Sequence, residues 1–121
     1  MNQHHCDAAV VCCIDFRFQK FIRSWLDQNM KGKTYDLVGF AGATKNLEAI
    51  MQQIKISKKL HCINQVILVH HEDCGAYGNQ STSRHHIKDL KRAKKRILAD
   101  FPDLKVDLYY LHLNGKFDKI K

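Results

Sequence analysis

Proline is nearly missing from this 121-residue chain, Pro102 being the single one, and glycine is scarce at six. That scarcity excludes a collagen-like repeat, and no Pro- or Gly-rich linker divides the chain. No segment is of low complexity and none repeats. Long hydrophobic runs are lacking too. The longest nearly uncharged ones, Ala8 to Ile14 and Val66 to Val69, fall far short of a membrane span. The opening Met1-Asn2-Gln3-His4-His5-Cys6-Asp7 has neither the basic start nor the apolar stretch of a signal peptide, so a cytoplasmic location is expected. Acidic residues are in deficit, twelve Asp and Glu against twenty Lys and Arg, which leaves a formal net charge of +8. That excess bears on solubility and on affinity for anions, not on fold.

What remains is the composition of a soluble globular protein, 45% hydrophobic and 26% charged, with a length that fits one domain spanning residues 1–121. Five cysteines are an odd number and two of them, Cys12 and Cys13, are adjacent, which argues against a disulfide framework. In a reducing compartment such cysteines, with eight histidines, point to metal, to catalysis or to small buried apolar groups.

Apolar runs alternate with amphipathic segments. Ala8-Ala9-Val10-Val11-Cys12-Cys13-Ile14 reads as a strand covered on both faces. Phe18, Phe21, Ile22, Trp25 and Leu26 then share one face of a helix that ends near Asn29 to Gly32. Tyr35 to Phe40 reads as a second strand, and Thr44 as the N-cap of a helix carrying Leu47, Ile50, Met51 and Ile54. Gln65 to His70 is a third buried strand. Ser81 or Ser83 is expected to cap a basic helix running through Leu98, and Lys105 to His112 is a fourth strand. Asn114-Gly115 offers a turn after which a short edge strand folds back. The alternation predicts an α/β fold: a mostly parallel four-stranded sheet flanked by helices, with a short antiparallel edge strand at the C-terminus.

In such sheets function gathers at the carboxyl ends of the strands, where strand order reverses. Two polar clusters fall at strand ends. In Cys13-Ile14-Asp15-Phe16-Arg17, alternate residues of an extended chain place Cys13, Asp15 and Arg17 on one side. Taken alone, this is either a functional row or a solvated strand end with an ion pair. In His70-His71-Glu72-Asp73-Cys74-Gly75, His71 and Cys74 are offset so that both reach one metal from a turn. With Cys13 they form a Cys₂His set, which suits zinc and leaves a fourth position open.

These two motifs, Cys-x-Asp-x-Arg at Cys13–Arg17 and His-x-x-Cys at His71–Cys74 followed by Gly75, resemble those of the β-class carbonic anhydrases. The 58-residue separation from Cys13 to His71 is of that family's order, Ala41-Gly42 looks like part of its Asn-Ala-Gly loop, and Tyr109 to Phe117 looks like its closing strand and hairpin. The resemblance covers nearly the whole chain. It implies Zn2+ held by Cys13, His71 and Cys74, with Asp15 and Arg17 as the catalytic dyad beside the open position. It also implies hydration of carbon dioxide to bicarbonate by a hydroxide that zinc makes available near neutral pH. In that family the aspartate either pairs with the arginine or swings onto the metal. Pockets there form at a dimer interface, so a homodimer or higher homo-oligomer is expected. Gly39-Phe40 stands where the family has a polar pair, and Phe16 and Phe18 set bulky rings beside the dyad. Related readings are a hydrolase of carbonyl sulfide on the same zinc site, or a zinc-binding protein of this fold without turnover.

Other features have bland expectations. The run Lys88, Lys91, Arg92, Lys94, Lys95 and Arg96 reads as the solvated side of a helix whose apolar side is Ile87, Leu90, Ile97 and Leu98. It lacks interleaved aromatics, so nucleic acid is not an expected partner. His4-His5 and His85-His86 read as surface histidines, with Cys12 as a packed apolar group. His70 is expected as a buried neighbour of the site and Tyr77 on its rim, while Cys6 and Cys62 find no partner in the sequence.

Overall fold

The computed structural model describes residues 4–121. Five strands form one sheet: β1 (Ala8–Cys12), β2 (Tyr35–Gly39), β3 (Gln65–His71), β4 (Lys105–Leu111) and β5 (Phe117–Ile120). Their order across the sheet is β2-β1-β3-β4-β5. The first four are parallel, and β5 runs antiparallel to β4 with Leu111 opposite Phe117. Every residue of β1 is buried, as its unbroken apolar run requires of a strand with layers on both faces.

Side-chain alternation sends β1 into two cores. Ala8, Val10 and Cys12 pack with Phe18, Ile22, Leu26 and Met30, which belong to or flank α1 (Gln19–Asn29). Ala9 and Val11 pack on the opposite face with Ile50 and Ile54 of α2 (Leu47–His61) and with Leu90, Ala93 and Ile97 of α3 (Ser83–Asp100). Right-handed crossovers dictate this division. The chain leaves β1 toward one edge through α1, then reverses through α2 to β3 and through α3 to β4. The reversal opens a crevice between the carboxyl ends of β1 and β3, the position where such sheets bind ligands.

Local chemistry corrects several expected boundaries. Thr44 does not cap α2, because its hydroxyl lies 2.6 Å from His70 Nε2; Asn46 caps it instead, accepting from the Ala49 amide. Neither Ser81 nor Ser83 caps α3. Thr82 does, accepting from the His85 amide, while the Ser81 hydroxyl is committed to the loop below. Strand β3 continues one residue past its expected end to His71, still in register with Leu111 of β4. Phe18 lies in a short 3-10 turn before α1 and not in the helix. The basic side of α3 is solvated as expected, with Leu90, Ala93 and Ile97 inward. No helix among the described residues is long and apolar enough to cross a membrane.

Candidate metal centre

Strand β1 ends at Cys12, and the next residue, Cys13, is delivered to the crevice. Cys12 points the other way into the α1 core, where burial pushes its thiol up to about 11. From the adjacent strand β3 come His71 at the last position and Cys74 three residues later. The Sγ atoms of Cys13 and Cys74 lie 4.0 Å apart, and one donor atom from each of Cys13, His71 and Cys74 lies within 4.8 Å of the others. All three residues are buried.

The orientation of His71 is fixed from two sides. Its Nδ1–H donates to the Glu72 carbonyl at 2.8 Å, and its ring stacks on Phe18 with centroids 4.1 Å apart. Nε2 is therefore the bare acceptor. It is buried with no hydrogen-bond partner among the described residues, facing the two thiols. A buried acceptor left bare costs free energy unless something coordinates it. Burial pushes the Cys13 thiol up, but His71 and the amides of Gly42 and Asp15 outweigh it and bring the thiol down to about 7. Burial, and the charge of Cys13, push Cys74 up. One thiolate beside one imidazole and a second thiol is a zinc-type donor set.

Gly42 contributes through its backbone. Its amide donates to Cys13 Sγ at 3.4 Å, from a φ of +80° with Ala76 only 3.2 Å from where a Cβ would stand. Only glycine reaches that approach without strain.

Above the thiols, Asp15 and Arg17 form a bidentate pair. Arg17 donates from Nη2 to Asp15 Oδ2 at 2.7 Å and from Nε to Oδ1 at 3.2 Å, and its amide donates to Oδ1 at 2.9 Å. These bonds hold the Asp15 carboxyl down at about 2. Of the two arrangements known in the resembling family, the structure adopts the pairing with arginine: Asp15 Oδ2 stays 3.9 Å from His71 Nε2. Arg17 also grips the other motif, donating to the Asp73 carbonyl at 2.8 Å and to its carboxylate at 3.1 Å. Asp73 presents that carbonyl from a left-handed backbone, φ +57°, which aspartate tolerates. Gln19 completes the brace by donating to the Cys13 and Asp15 carbonyls.

Sequence reasoning missed the polar chain beneath the centre. From Thr44 Oγ1 it runs to His70 Nε2, from His70 Nδ1 to His86 Nδ1 at 2.8 Å, and from His86 Nε2 to Ser81 Oγ at 2.9 Å. Ser81 accepts in turn from the Cys74 amide. His86 is therefore no surface histidine but fully buried, and burial holds His70 and His86 neutral, at about 3 and about 4. The available signal was helical spacing, since His86 precedes Leu90, Ala93 and Ile97 on the inward stripe of α3. Tyr77 is likewise not on the rim. It is buried against Cys13 and Cys74 and donates to Asp89 at 2.6 Å. Of the two rings expected beside the dyad, Phe18 lies beneath His71, while Phe16 is 85% exposed at the mouth.

A doubly wound sheet with a Cys-His-Cys set at its switch point and an Asp–Arg pair beside it defines a protein of the β-carbonic-anhydrase class. Residues 3–121 match the family model described as "Putative carbonic anhydrase", and the chain belongs to that family. It is similar to an uncharacterized protein of Rickettsia bellii (strain RML369-C), at 28% identity over 130 residues covering 92% of this chain and 79% of the relative. Among solved structures it resembles the carbonic anhydrase from Glaciozyma antarctica, with a TM-score of 0.70 at 19% identity over 100% of this chain and 85% of that one. It also resembles a β-carbonic anhydrase from Sordaria macrospora, described as tetrameric, with a TM-score of 0.66 at 9% identity over 98% and 82%. Identities this low carry the fold alone.

Proposed function

We propose that this chain hydrates carbon dioxide to bicarbonate, with zinc held by Cys13, His71 and Cys74 and with Asp15 and Arg17 as the working pair at the open position. The observation that carries this reading is the buried, unpartnered Nε2 of His71 facing two thiols. When bound, zinc supplies a Lewis acid that makes hydroxide available near pH 7. His71 presents Nε2 because Glu72 occupies Nδ1, and Cys13 presents a thiol already inclined to ionise. Asp15, kept ionised by Arg17, accepts a hydrogen bond from an incoming hydroxyl and sets its orientation. Arg17 keeps that carboxylate off the metal ligands and ties it to the Asp73 loop.

The reactants meet in a concavity of about 690 Å³ lined by Cys13, Ile14, Asp15, Phe16, Ala41 and Ala76. Its walls are mostly apolar, which suits a small linear molecule without charge. Ile14 at the mouth is 63% exposed, and with Phe16 it favours a second reading in which carbonyl sulfide is hydrolysed by the same machinery. Ile14 and Phe16, with exposed Leu37 on edge strand β2, are large apolar side chains left open to solvent that a second copy of the chain would cover, and this supports a homodimer. The five cysteines are free, in keeping with a cytoplasmic setting.

The test combines zinc stoichiometry on purified protein with stopped-flow carbon dioxide hydration at about pH 7 to 9, spanning the pKa expected of water at such a metal. The reading expects about one zinc at this centre, lost in Cys74→Ser, and hydration abolished in Asp15→Ala with zinc retained. Zinc with hydrolysis of carbonyl sulfide alone moves the function to the second reading. Zinc without either activity leaves a binding protein, and a centre that takes no zinc overturns the assignment.

A further inference from the structure

The opposite end of the sheet carries a second convergence of metal-binding side chains. Cys6 precedes β1, Asp36 is the second residue of β2, and His61 closes α2. They come from three separate segments, yet one donor atom from each lies within 4.8 Å of the other two. All three are half-buried.

The local bonds organise this set. His61 Nδ1 lies 2.7 Å from Asp36 Oδ2, and Ser57, one turn earlier on α2, donates to the same oxygen at 2.6 Å. The Cys6 amide donates to the His61 carbonyl at 3.0 Å, so backbone pairing brings the thiol to the end of the helix. The ring of His4 stands 6.4 Å from that of His61, which brings a further imidazole to the rim. An ordinary surface ion pair explains His61 and Asp36 alone. It does not explain a thiol brought to them, nor a serine holding the carboxylate from behind, the kind of outer contact that orients a metal ligand.

We propose that Cys6, Asp36 and His61 form a second site, for a zinc-type divalent ion, that clips the segment before β1 to β2 and to the end of α2. One thiolate, one imidazole and one carboxylate are ligands that zinc accepts together, and the half-open rim leaves room for His4 or water as a fourth. Binding replaces the thiol proton of Cys6 with the metal, so the ion enters with proton release. A nucleophilic role for Cys6 fits less well. Its thiol donates to the Ala8 carbonyl, and burial and the Asp36 carboxylate push its pKa up and keep it protonated.

The experiment is equilibrium dialysis of the full-length protein against zinc, with cobalt(II) as the spectroscopic probe. The background carries Cys13→Ser and Cys74→Ser, which remove the first centre whether or not that centre takes metal. This protein is expected to hold about one zinc per chain and to show a thiolate-to-cobalt charge-transfer band. Cys6→Ala abolishes both in the same background, and so does His61→Gln, which keeps the proposal testable if one variant fails to fold. Ser57→Ala weakens zinc binding about 10- to 100-fold. No zinc in the double-serine background overturns the proposal. So does zinc that survives both Cys6→Ala and His61→Gln, or that is lost only when His4 and His5 are replaced.

Discussion

Replacing His86 with glutamine and measuring stability against pH tests the buried polar chain under the candidate metal centre. His86 is fully buried, and burial first, then the charge of His71, brings its pKa down to about 4. In the unfolded chain it titrates near 6.5. Between these values the unfolded state carries a proton on this residue that the native state does not. Stability from His86 is therefore fully present above pH 6.5 and is lost as pH falls toward 4. One proton is worth about 1.4 kcal/mol per pH unit, or roughly 3 kcal/mol across the window. His86→Gln keeps a hydrogen-bonding side chain but cannot titrate. At pH 7.5 the variant is expected to lose about 1–3 kcal/mol from imperfect pairing with His70 and Ser81. Urea denaturation at pH steps from 7.5 to 4.5 should then show the gap closing by about 1.4 kcal/mol per unit below pH 6.5. Protonation of His70, Cys13, His71 and Cys74 is common to both proteins. A gap that stays constant with pH refutes the claim that His86 is buried neutral.

Three further outcomes follow from single contacts. Phe18→Ala removes a fully buried ring that stacks on His71; a loss of about 3–5 kcal/mol in urea unfolding is expected, with weaker zinc retention, and a loss below about 1 kcal/mol would contradict the packing. Gly115→Ala puts a Cβ within 2.7 Å of the Phe21 ring at a φ of +91°, and should cost at least about 1–2 kcal/mol; an unchanged urea midpoint would show that the hairpin is not held as described. Arg17→Met should let the Asp15 carboxyl rise from about 2 toward the ordinary aspartate range, read by carbon NMR titration. The stability Asp15 now contributes above the unfolded pKa, lost as pH falls toward 2, would then shrink; an unmoved Asp15 would mean that Arg17 is not its partner.

The amino-acid order alone determined the architecture, because hydrophobic period is a local property. The apolar run from Ala8 announced a strand buried on both faces, which ends at Cys12 and not at the expected Ile14, itself 63% exposed, and Ile22 and Leu26 announced the helix covering one of those faces. The five residues brought together at the crevice were legible as well, since Cys13, Asp15 and Arg17 follow one strand while His71 ends another and Cys74 comes three residues later. Only the tertiary structure decided what fills the space between segments. Thr44 looked like a cap until His70 arrived from a strand 26 residues away and took its hydroxyl. His86 looked like one of two surface histidines, but α3 turns it inward onto His70 and Ser81. Cys6 had no partner along the chain because Asp36 and His61 reach it only after β2 and α2 have docked. Helix caps and polar networks depend on which acceptor comes nearest once the layers close, and that competition is settled by packing between residues far apart in the chain.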